Sequence, residues 1–178
     1  MDIPTSIRRE VMKRASISGK RFVLALFLLL AFLSGCSGTG VPDSRLRRAF
    51  FRNRDDFNKL LLMSEDDRQV IRIDFDSTIM KTSTGLQRNM GLSEARWREY
   101  RMLFRKLGIT GGIERPQAFP NAVLFYARCA GSAIDADCKG FAYLEKPLFP
   151  VANSLDKPRL GDIFEPLSPN WYLFRWVT

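Results

Sequence analysis

The apolar positions of this chain repeat with two different periods. From Asp43 to about Met63, Leu46, Ala49, Phe50, Phe57, Leu60 and Leu61 recur three and four residues apart, which puts them on one face of a helix capped by Asp43 or Ser44. From Gln69 to Phe75 the period is two: Val70, Arg72 and Asp74 alternate with Ile71, Ile73 and Phe75, as in a strand with one wet face. A polar loop around 81–91 leads to a second helix with Ser93 as its cap, Glu94 in its first turn, Arg105 and Lys106 in its last, and Gly108 as its stop. Trp97, Tyr100, Phe104 and Leu107 line the side of it that is expected to be buried.

Strands are expected at 122–129 and 138–146, joined by the turn-rich AGSAIDAD, and the apolar run Trp171–Val177 reads as a buried strand. Between them, 147–169 carries five prolines and little periodicity, so an irregular wrap over the surface is expected there. These elements predict an α+β fold: an antiparallel sheet of about four strands with two main helices packed on one face.

The N-terminal stretch follows a different logic. Arg8, Arg9, Lys13, Arg14, Lys20 and Arg21 precede an uncharged apolar run from Phe22 to Phe32, which ends in Leu33-Ser34-Gly35-Cys36. The run is too short for a bilayer-spanning helix, which needs ~20 residues, and it has the proportions of a signal-peptide core. Leu33-Ser34-Gly35-Cys36 resembles the lipobox of bacterial lipoproteins. That resemblance implies diacylglyceryl transfer to the Cys36 sulfur, cleavage before it, and acylation of the new amino group. With Ser37 rather than Asp after the cysteine, it implies sorting to the outer membrane, facing the periplasm. The expected organisation is a signal peptide over 1–35, a lipid-anchored tether over 36–42 and a single periplasmic domain over 43–178. Met12-Lys13-Arg14 would also start a well-proportioned signal peptide. Arg8-Arg9 resembles a twin-arginine export motif, although it stands about a dozen residues before the apolar run.

Charge and composition then narrow the function. Six of the 28 basic and two of the 19 acidic residues lie before Cys36, so the net charge of +9 falls to +5 in the mature chain. Much of the basic balance belongs to the leader, no aromatic-basic binding motif appears, and nucleic acid is not expected as a partner. The chain has no histidine, which excludes Ser-His-Asp and Cys-His catalysis and the commonest zinc ligand. With Cys36 lipidated, Cys129 and Cys138 are too few for a cysteine-built metal site, and no cofactor or metal is expected. In an oxidising compartment this even pair, ending and beginning adjacent strands, is expected to form a disulfide.

Three constellations invite a chemical reading. Asp74-Phe75-Asp76-Ser77-Thr78 after an apolar strand resembles the first motif of haloacid-dehalogenase-type phosphatases. That resemblance implies Asp74 as nucleophile and Asp76 as general acid and base, with Mg2+ on the phosphate. Yet Arg72 interrupts what should be a fully buried parallel strand, and the plainer reading is a solvated strand end entering a turn. Arg45, Arg48, Arg52 and Lys59 share one face of the first helix, suited either to solvent or to anionic headgroups. The aromatic run 171–177 suits either core or the wall of a ligand groove.

The segments Lys139–Tyr143 and Asn170–Phe174, with the Trp97-to-Phe104 helix, resemble short uncharacterised proteobacterial lipoproteins; no activity comes with that resemblance. The functional expectation is a lipid-anchored envelope lipoprotein with a non-catalytic binding or assembly domain. Its expected partners are the membrane, through lipid on Cys36, and another envelope protein. The alternatives are a small-ligand-binding lipoprotein and, behind it, the phosphatase.

Overall fold

The computed structural model describes residues 40–178 apart from 118, 120, 133, 146–149 and 158. The leader over 1–35, the alternative start at Met12, the lipidation site Cys36 and most of the tether lie outside the described residues. Within them the chain forms three helices and eight strands: α1 (Asp43–Arg52), α2 (Arg54–Asp66), β1 (Val70–Ile73), β2 (Thr78–Thr82), β3 (Gly85–Arg88), α3 (Glu94–Leu107), β4 (Ile113–Glu114), β5 (Ala122–Gly131), β6 (Ala136–Leu144), β7 (Gly161–Ser168) and β8 (Trp171–Val177). The strands make one sheet in the order β3-β2-β1-β4-β5-β6-β8-β7, with every neighbouring pair antiparallel.

The sheet is therefore twice the size expected from the sequence, and a third helix is added. Each correction has a physical reason. The expected first helix is two, because Asn53 leaves helical geometry at φ −123° and its side-chain amide donates to the Ala49 carbonyl at 2.9 Å, competing with the backbone ladder. Strands β2 and β3 form an edge hairpin whose side chains are mostly half-buried or exposed, so no apolar alternation marks them. Strand β4 is only two residues long, too short to show a period. It reaches β1 because Gly112, at φ +72°, has no side chain: a Cβ there would stand 2.2 Å from the Ile73 carbonyl oxygen.

Strand β7 holds Pro166, which argues against a central strand. It lies at the sheet edge, and the register shifts between Pro166 and Ser168, where a missing N–H is tolerated. The segment before it is more than a surface wrap, since Leu155 is fully buried in the core.

The helices cover one face of the sheet. Leu46 and Phe50 of α1, Phe57 and Leu60 of α2, and Tyr100 and Phe104 of α3 pack on Val123, Phe125, Phe141, Leu173 and Trp171. Phe57 stands 4.5 Å from Phe141 and 5.3 Å from Phe50, measured between ring centroids. Helix α3 is built as its sequence reads: the Ser93 hydroxyl accepts from the Arg96 N–H at 3.2 Å, and Gly108 ends the helix.

Asp43 does not cap α1. Its carboxylate accepts instead from the Leu155 N–H and the Ser154 hydroxyl, both at 2.7 Å, and pairs with Lys139. Lys139 also donates to the Val41 carbonyl at 3.0 Å and to Asp156 at 2.8 Å. Beside this cluster Arg175 grips Asp137 through two bonds of 2.9 and 2.7 Å and donates to the Leu155 carbonyl at 2.7 Å. The start of the domain, the 154–156 segment and two central strands are thus tied together on the helix side. Among the described residues no helix is long and apolar enough to cross a membrane.

Candidate functional site

Among the described residues, no helix lies on the second face of the sheet. Because strand residues alternate, the same strands that feed the core present a second apolar set here: Ala122, Leu124 and Tyr126 of β5, Cys138 and Ala142 of β6, Phe164 of β7, and Phe174 and Trp176 of β8. All of these but Ala142 line a groove of about 590 Å³, together with Arg72 of β1, Glu114 of β4 and Asp162 of β7. Its size lies within the usual range for small-molecule sites.

A local defect in the β5–β6 pair lies beside the groove. The register shifts between Tyr126 and Arg128, a bulge that bends the sheet. Opposite it stands Gly140, paired with Tyr126 on one side and Phe174 on the other. A Cβ at Gly140 would lie 2.0 Å from the Phe125 carbonyl oxygen and 3.0 Å from the Ala127 nitrogen. The rings of its two register partners, Tyr126 and Phe174, meet edge to face with centroids 5.3 Å apart.

Polar groups converge at the end formed by β1 and β4. Arg72 donates from Nε to Asp74 at 2.9 Å and from Nη1 to Glu114 at 2.6 Å, and its guanidinium lies 5.4 Å from the Tyr126 ring centre. The Tyr126 hydroxyl donates to the same Glu114 oxygen at 3.2 Å. Burial disfavours the Arg72 charge, but the bond and charge of Asp74 and the charge of Glu114 outweigh it and raise the pKa. Burial, then the Glu114 charge, pushes the Tyr126 phenol far above its ordinary range. Asp162, at the rim, has its carboxyl pKa raised by partial burial. Among the described residues it has neither an ion pair nor a side-chain hydrogen bond.

Cys129 and Cys138 also line the groove. They are register partners across β5 and β6, 4.0 Å apart between Cα atoms, and form a disulfide. The strands run past both cysteines, to Gly131 and from Ala136. Ser132 and Asp135 exchange backbone hydrogen bonds across the turn.

The remaining sequence candidates fall elsewhere or divide. Asp74 and Asp76 sit in the tight turn between antiparallel β1 and β2, closed by the Asp74 N–H on the Ser77 carbonyl at 2.8 Å. Asp74 is engaged by Arg72 and Asp76 is exposed, which is not the parallel-strand end that the phosphatase resemblance implies. Among the described residues no three Cys, Asp or Glu side chains cluster to hold a metal ion. Arg45, Arg48 and Arg52 are exposed on α1, and Lys59 is exposed beyond the break on α2. The C-terminal aromatic run splits by parity: Trp171 and Leu173 enter the core, while Phe174 and Trp176 face the groove.

Arg72, Glu114, Tyr126 and Asp162 were not singled out as a site by their sequence positions. They come from four strands, and the only local sign was that β5 and β8 are apolar on both faces although helices can cover just one.

Comparison with known proteins adds no relative: no family model matches the chain, and neither a curated protein nor a solved structure is similar to it.

Proposed function

We propose that this chain is a lipid-anchored lipoprotein of the cell envelope, held to the outer membrane through Cys36, whose periplasmic domain binds a small ligand on the open face of its sheet. One observation carries the binding reading: an aromatic groove with convergent polar groups at one end occupies the sheet face that, among the described residues, no helix covers. Apolar walls supply affinity, and a few fixed polar groups supply orientation. The anchoring reading rests on the basic leader, the uncharged run and the Leu33–Cys36 motif.

Two measurements test the two halves. A Cys36→Ser variant is expected to lose both its acyl mass and cleavage before residue 36; unchanged processing and membrane fractionation would refute the anchor. For the groove, the full chain in nanodiscs of zwitterionic lipid is titrated calorimetrically with 4-phenylbutanol against empty discs. Saturable heat is expected with the parent chain. It should vanish in Leu124→Trp, which fills one wall, while the thermal unfolding midpoint is kept. Equal binding by both proteins would remove the groove as the site.

A further inference from the structure

Among the described residues the groove is lined by one cation and two anions, and the cation is already engaged. Arg72 spends Nε on Asp74 and Nη1 on Glu114 and lays its face on Tyr126. Its remaining nitrogen points at the Gly111 carbonyl, 3.5 Å away. An anionic ligand would have to displace two carboxylates to use it. The carboxylates have capacity left. Only Oε2 of Glu114 takes the Arg72 and Tyr126 bonds, and its side chain is still 31 % exposed. Asp162 has no partner among the described residues, and its charge reaches the same Tyr126 phenol that Glu114 holds. The apolar walls beside them are largely aromatic: Phe164, Phe174, Trp176 and Tyr126. Aromatic faces attract cations and offer nothing comparable to anions.

We propose that the groove takes an amphiphilic organic cation, with an apolar body along Phe164, Phe174 and Trp176 and an ammonium or amidinium head drawn to the carboxylates of Glu114 and Asp162. This rests on the reading of the groove as a ligand site and specifies the chemistry it selects. Charge complementarity decides the class. With Arg72 neutralised internally, the polar end presents net negative charge, and a ligand carboxylate or phosphate there would face the like charges of Glu114 and Asp162.

The test uses three probes with one body and different heads: 4-phenylbutylammonium, 4-phenylbutanol and 4-phenylbutyrate. Each is titrated calorimetrically into the full chain in zwitterionic nanodiscs. The ammonium should bind about tenfold more tightly than the alcohol, the size of a partly desolvated cation–aromatic contact with a carboxylate beside it, and the butyrate should bind most weakly. Asp162→Asn should cost the ammonium most of its advantage over the alcohol. Asp162→Glu should restore most of the preference, which a merely structural role for Asp162 would not produce. Equal binding of the three probes, or tightest binding of the butyrate, would overturn the cation proposal while leaving the groove as a ligand site. Absence of binding by all three would remove the groove reading and this proposal together.

Discussion

Lys139 and Asp43 form an ion pair between the middle of the sheet and the first residue of the first helix, with side chains only 2 % and 8 % exposed. Removing one member of such a pair leaves the other charge buried and uncompensated. Lys139→Met is therefore expected to destabilise the domain by about 3–5 kcal/mol. Adding Asp43→Asn should recover part of the loss, because the stranded charge disappears with it. Urea unfolding of the single and double variants measures both; a single variant within about 0.5 kcal/mol of the parent would show the pair to be dispensable.

The same pair shapes the acid response. Burial alone would raise the Asp43 pKa, but the Lys139, Ser154 and Leu155 hydrogen bonds and the Lys139 charge outweigh it and hold the carboxyl below its ordinary 3.8. At Glu65, burial is likewise outweighed, by Arg115 and then Arg68, and the pKa falls below its ordinary 4.5. A carboxyl depressed on folding contributes its stabilisation in full above its unfolded pKa and loses it as pH falls through the folded one. Asp162, raised by burial, works in the opposite direction. Stability should thus be flat near neutrality and decline as pH drops below about 4.5, with a shallower decline in Asp43→Asn. Thermal midpoints measured across pH 3–7 decide it, and parallel profiles for parent and variant would remove Asp43 from the acid transition.

Asp74 and Asp76 separate a structural role from a catalytic one. Asp74 accepts a charge-assisted bond from Arg72, so Asp74→Asn is expected to cost about 1.5–3 kcal/mol. Asp76 is exposed, and Asp76→Asn should stay within about 0.5 kcal/mol of the parent. No Mg2+-dependent phosphate release is expected from any of the three proteins. Release by the parent that both substitutions abolish would restore the phosphatase reading.

The Cys129–Cys138 bridge closes a short loop between paired strands. Maleimide labelling of denatured protein taken from the periplasm should find neither of these thiols free before reduction and both free after it. The double Cys→Ser variant should lose about 2–3 kcal/mol by the chain-entropy estimate. Two thiols reactive without reductant would show the bridge to be absent in the cell.

What the sequence revealed depended on how strongly each element is patterned. Helix α3 carries a cap, a charge gradient and a terminal glycine, and it is found where those signals place it. The β5–β6 hairpin and β8 are long and apolar, and they too were legible. Strands β2, β3 and β4 are short, polar or both, and β7 is disguised by Pro166 and its acidic residues. The break at Asn53 was hidden because the apolar spacing runs on through it from Phe50 to Phe57. The groove was least visible of all. Glu114 and Tyr126 are 12 residues apart and Arg72 and Glu114 are 42, and only the strand order brings them together.

Gly140 lets β5 and β6 close on each other at the bulge beside the groove. Since even a methyl group there would meet the Phe125 carbonyl at 2.0 Å, the pairing of these two strands is not open to gradual adjustment by substitution at this position. A change of ligand preference would have to be written at lining positions such as Leu124, Asp162 and Trp176, while residue 140 stays glycine.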